Sequence, residues 1–113
     1  MNEIDADWPD DADGGVFRRL AKHGFDFSKQ HTVDYNVDFP RWPPPFEAVE
    51  KLKATYGPVE LYDPEDGDLG HVLFRVHSLV SYEGVTSIQR QASLAMSQFG
   101  GTCESWGVLH DAP

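Results

Sequence analysis

Carboxylates, imidazoles and one thiol are the groups in this chain that could move a proton or attack a carbon. Cys103 is the sole cysteine, and Glu104 follows it directly in the run GTCESWGVLH. A thiol becomes a nucleophile when a neighbouring base or cation favours the thiolate. Successive side chains of an extended strand point to opposite faces, so Glu104 cannot assist Cys103, and inward packing is the better account of the thiol. Asp34 and Asp38 alternate through TVDYNVDF, and Arg75 and His77 through LFRVHS. Side by side on one face they could transfer protons, because carboxylates and imidazoles titrate near neutrality when burial shifts them. The plainer reading is the solvated face of a sheet buried on its other side, and it is favoured.

No metal centre is expected. Cys103 has no CxxC partner, and His71 and His77, six residues apart on one strand, would stand about 20 Å from each other. His23, His31 and His110 lack ligand-like spacing. The chain contains no G-x-S-x-G elbow, phosphate-binding glycine loop or HExxH helix, so no catalytic residue and no cofactor are assigned.

The elements that must position these groups follow from punctuation and periodicity. Asp11 or Asp13 can cap a short first helix whose Val16, Phe17, Leu20 and Ala21 recur on one face up to Gly24. HTVDYNVDF then places Val33, Tyr35, Val37 and Phe39 on one side of a strand and Thr32, Asp34, Asn36 and Asp38 on the other. Prolines 40, 43, 44 and 45 stop that strand and lead into a helix with Phe46, Val49, Leu52 and Tyr56 at helical spacing, ended by Gly57-Pro58. VELYD and HVLFRVHSLV form a hairpin around PEDGDLG, with Val72, Phe74 and Val76 inward and Leu73, Arg75 and His77 on the reverse. Val85, Ile88, Ala92, Met96 and Phe99 mark a last helix, stopped by Gly100-Gly101, before the final strand.

After the first helix the order is βαββαβ. It predicts an α+β, ferredoxin-like sandwich: a four-stranded antiparallel sheet with helices on one face, the first and third strands central and the last beside the first. The other sheet face is left open. Strict alternation assigns Thr102, Glu104, Trp106 and Val108 to that open face, and Cys103, Ser105, Gly107 and Leu109 to the packed one. Trp106 combines a large contact area with one hydrogen-bond donor, so core filling and an exposed interaction anchor both stay open for it. Trp42, set among prolines at a strand end, is read as a lid on the core edge.

The chain has 113 residues, enough for one core, and is expected to form a single domain over 11–113 behind an acidic, disordered lead over 1–10. Nineteen acids against nine bases give a net charge of −10, which disfavours direct contact with nucleic acid or anionic lipid. Six acids and no base fall within residues 1–13, and a second acidic cluster surrounds Asp66. These are read as solvated chain ahead of a docking site for a basic partner. A single cysteine, no positively charged apolar leader and no run of about 18 apolar residues point to a cytoplasmic protein without a membrane segment.

The order of elements and the terminal CESWGVLH resemble the regulator of ribonuclease E activity B (RraB) family of bacterial ribonuclease E inhibitors. The likeness spans roughly residues 12 to 110. It is carried by DGGVFRRLAKHGFDFSKQHTVDYNVDFP and by VTSIQRQASLAMSQFGGTCESWGVLH. The resemblance implies a ferredoxin-like fold and an acidic, non-catalytic regulator. It also implies a protein partner, a basic disordered segment of ribonuclease E or its degradosome, whose binding modulates RNA processing. On this reading Asp34, Asn36, Asp38, Arg75, His77, Glu104 and Trp106 are the candidate contact residues. The alternative is a small ferredoxin-like enzyme or ligand-binding domain with a pocket on the same face, formed between subunits of a homo-oligomer. A third reading is an acidic protein that neutralises a toxin or mimics nucleic acid.

Overall fold

The computed structural model of the chain describes residues 8–108. Asp11 starts the first helix, α1 (Ala12–Lys22), by accepting the Gly14 N–H at 2.7 Å. The Tyr82 hydroxyl donates to the other oxygen of Asp11, and these two bonds hold its carboxyl below the ordinary carboxylate range. The remaining elements follow in the expected order: β1 (Gln30–Phe39), α2 (Phe46–Tyr56), β2 (Val59–Tyr62), β3 (Gly70–Leu79), α3 (Tyr82–Met96) and β4 (Thr102–Val108). The strands form one antiparallel sheet in the order β2-β3-β1-β4, with β3 and β1 central. This is the ferredoxin-like sandwich that the order of elements predicted.

One face of the sheet is buried under the helices. Val33, Tyr35, Val37 and Phe39 of β1 and Val72 and Phe74 of β3 meet Ala48 and Leu52 of α2 and Val85, Ala92 and Met96 of α3. Each large side chain so buried contributes about 1.5–3 kcal/mol over its exposed state. Tyr35 and Phe74 stack at 5.2 Å between ring centroids, and Tyr56 lies on Phe74 at 4.0 Å, so α2 is keyed to the sheet centre by aromatic contacts. Phe46 departs from the expected face. It is 76% exposed, because the chain leaves the proline segment with Ala48 rather than Phe46 directed at the sheet.

Trp42 covers the core edge, as expected for a lid. Its ring lies over Gly70, where an added Cβ would stand 2.4 Å from a ring carbon, and its N–H donates to Asp63 Oδ1 at 2.9 Å. The β2–β3 hairpin turns at Asp66-Gly67, both at positive φ (50° and 87°), the backbone of the two-residue turn that matches strand twist.

Trp8, expected within the disordered lead, packs on Phe17 with centroids 5.5 Å apart. Arg18 Nη1 donates to the carbonyls of Trp8 and Pro9, at 3.2 and 3.1 Å. The rest of that lead, residues 1–7, lies outside the described residues, as do Leu109 and His110.

Candidate functional site

The open face is built on β1 and β3, whose register pairs Thr32 with His77, Asp34 with Arg75, Asn36 with Leu73 and Asp38 with His71. The β2 edge adds Glu60 beside Leu73 and Tyr62 beside His71. Side-chain alternation on two fully paired strands puts Asp34, Asn36, Asp38, Arg75 and His77 together on this face, where the sequence placed them.

Cross-strand partners divide the face into two halves. In one, Arg75 donates to Asp34 Oδ1 at 3.0 Å and to Glu60 Oε2 at 2.5 Å. Tyr62 donates to the other oxygen of Glu60 at 2.6 Å, and the bonds from Tyr62 and Arg75 hold the Glu60 carboxyl below its ordinary range. At the end of this half, Thr32 Oγ1 and His77 Nδ1 lie 3.3 Å apart. Tyr62, Glu60, Arg75 and Asp34 thus form one chain of hydrogen bonds, and Thr32 with His77 forms a separate pair.

The other half is less compensated. Asp38 is partly buried, and burial pushes its carboxyl above the usual carboxylate range. Glu104 pushes it the same way, while His71 opposes them. Asn36 donates to Ser105 Oγ at 3.1 Å, but its own side-chain oxygen is buried and accepts no hydrogen bond. Asn36, Asp38, His71 and Ser105, with Asp68 and Leu69 from the hairpin, bound an open depression of about 430 Å³. The depression contains His71, not His77, and nothing in the alternation pattern distinguished the two.

The placement of Trp106 on the open face is corrected by β4. Asn36 pairs with Ser105 but Val37 pairs with Cys103, so Glu104 is an extra residue in a β-bulge. A bulge reverses the facing of everything beyond it. Cys103 packs inward as expected, yet Trp106 and Val108 also turn toward the helices, opposite Tyr35 and Val33. Trp106 lies against Phe17 with centroids 5.2 Å apart and donates its N–H to Asp13 Oδ1 at 2.9 Å. Gln89 donates to the other oxygen of Asp13 at 3.3 Å, so one carboxylate ties α1, α3 and β4 together. Trp106 is therefore an internal anchor, and Ser105 takes the open-face position assigned to it.

Glu104 is exposed at the bulge and lines a groove of about 390 Å³ with Asp11, Asp13, Gln89, Arg90 and Ser93. Cys103 is buried, and its backbone exchanges hydrogen bonds with the Ser93 hydroxyl at 2.9 and 3.3 Å. Burial, with the charges of Asp38 and Glu104, pushes the thiol up to about 12, which keeps it protonated. Among the described residues no group of three or more His, Cys, Asp or Glu side chains is placed to hold a metal ion, and no helix is long and apolar enough to cross a membrane.

These features define a small α+β sandwich with one sheet face uncovered by helices and lined with charged side chains. The family profile described as regulator of ribonuclease activity B matches residues 10–108, nearly the whole chain, and the protein belongs to that family. The resemblance carried by the helix-to-strand segments at the two ends of the domain is thereby borne out. None of the curated proteins matches the chain in sequence.

Proposed function

We propose that this protein is a non-catalytic regulator of ribonuclease E, acting in the cytoplasm by binding a basic segment of that enzyme or of its degradosome. The match of the regulator family across residues 10–108 carries the reading. Two physical features support it. The net charge of −10 favours encounter with a basic partner over direct contact with RNA. The carboxylates Asp34 and Glu60 on the open face are bonded to Arg75 rather than gathered with His77 around a reacting atom, an arrangement suited to a contact surface.

The test is a pull-down with the full chain against ribonuclease E of the same organism, joined to an RNA-cleavage assay. Enrichment of the enzyme and slower cleavage in the presence of the protein are expected. Absence of enrichment together with unchanged cleavage would overturn the proposal.

A further inference from the structure

We infer that the open face receives its partner with a defined polarity, an arginine side chain of a basic segment entering the depression between Asp38, Asn36 and Asp68. The inference rests on the proposed protein-binding function and adds to it the half of the face that makes contact. Both halves carry carboxylates, but those of the Arg75 half already have their cation. Arg75 engages Asp34 and Glu60 at once. In the other half no lysine or arginine lines the depression, and among the described residues no ion pair reaches Asp38 or Asp68.

Three further observations suit a guanidinium rather than a bare point charge. Ser105 Oγ, at the wall of the depression, accepts from Asn36 at 3.1 Å and keeps a second lone pair for an incoming N–H. His71, at the wall of the depression, is held in a stack with Tyr62 at 4.9 Å and gives a planar cation an aromatic neighbour. Leu69, 47% exposed at the rim, matches the aliphatic stem of the same side chain. A cation here would also relieve the carboxylate of Asp38, which burial and Glu104 now oppose.

The test uses the full chain, isotopically labelled for NMR, with a synthetic arginine-glycine-serine repeat peptide and the same peptide carrying uncharged citrulline for arginine. Shifts centred on Asn36, Asp38, Asp68, Leu69, His71 and Ser105 are expected with the arginine peptide and not with its citrulline form. The double variant Asp38→Asn/Asp68→Asn should weaken peptide binding at least about tenfold. The double variant Glu47→Gln/Glu83→Gln, on the helix side and of equal charge change, should weaken it less than about twofold. Spectra of each free variant report directly whether its fold is kept.

Absence of peptide binding would overturn the inference, as would shifts on the helix side, equal binding of the citrulline peptide or equal weakening by both double variants. If ribonuclease E is captured as well by the Asp38→Asn/Asp68→Asn variant as by the wild type, this polarity fails while the regulatory proposal stands. If the peptide binds as described but ribonuclease E is not captured, the regulatory proposal fails and the arginine site stands.

Discussion

At the scale of single residues, Asp38 and Cys103 show how position, not type, decides chemistry. Burial raises both above their ordinary pKa: it disfavours the charged form of the Asp38 carboxyl, and it pushes the Cys103 thiol up to about 12, so that the thiol stays neutral at pH 7. The folded protein binds a proton at Asp38 more readily than the unfolded chain does. Its neutral form therefore supports the fold at pH below the unfolded carboxyl pKa, near 3.9, and this support is lost as pH rises through the raised folded value. Asp38→Asn, which removes the charge, should raise Tm at pH 7 relative to wild type, with the difference vanishing near pH 3; a lower Tm at pH 7 would contradict this account. Cys103 should resist a thiol-specific reagent in the native state and react fully in denaturant. Rapid native modification would show that the strand opens far more readily than its bonds to Ser93 imply.

At the scale of elements, α1 and β4 are held to the sandwich by a shared aromatic contact. Phe17 is fully buried between Trp8, Tyr82 and Trp106, and Asp13 accepts from both Trp106 and Gln89. Phe17→Ala should cost about 3–5 kcal/mol in denaturant unfolding, the range for losing a buried phenylalanine. Trp106→Phe keeps most of the contact but removes the donor to Asp13, and should cost about 1 kcal/mol. It should leave binding of the proposed partner unchanged once folding is equal, since the indole lies on the helix side of the sheet. Strong loss of binding by a well-folded Trp106→Phe protein would return that residue to the contact surface. Gly70 marks another junction. A methyl there meets the Trp42 ring, so Gly70→Ala should destabilise by about 1–3 kcal/mol and change Trp42 fluorescence.

For the whole molecule, charge is the property that acts at a distance. A chain of net charge −10 attracts a basic segment before any contact forms, and salt screens that attraction over about 8–10 Å at physiological strength. Association with the proposed partner should therefore slow sharply between low and moderate salt, while the dissociation rate changes less. Stopped-flow measurements across a salt series would check this, and an association rate indifferent to salt would remove charge from the account. The fold suits this role because its helices occupy one side of the sheet and leave the polar side of two long central strands free for contact.

Much of this architecture is legible in the sequence alone. Alternation in β1 and β3, the proline and glycine stops and the Asp11 cap are local, and the βαββαβ order admits few packings. Those features placed Asp34, Asn36, Asp38, Arg75 and His77 on one face because two adjacent strands without irregularity preserve parity. The face of Trp106 was not legible, because a bulge at Glu104 arises in the pairing of β4 with β1, residues nearly 70 positions apart. The same holds for Phe46, whose helical spacing was right and whose direction was set by how the proline segment delivers α2 to the sheet. The partition of the open face into a half whose carboxylates share Arg75 and a half lined by no lysine or arginine also needed tertiary structure. Arg75 reaches Asp34 across one strand boundary and Glu60 across another, and no sequence pattern shows which carboxylate a long side chain will choose.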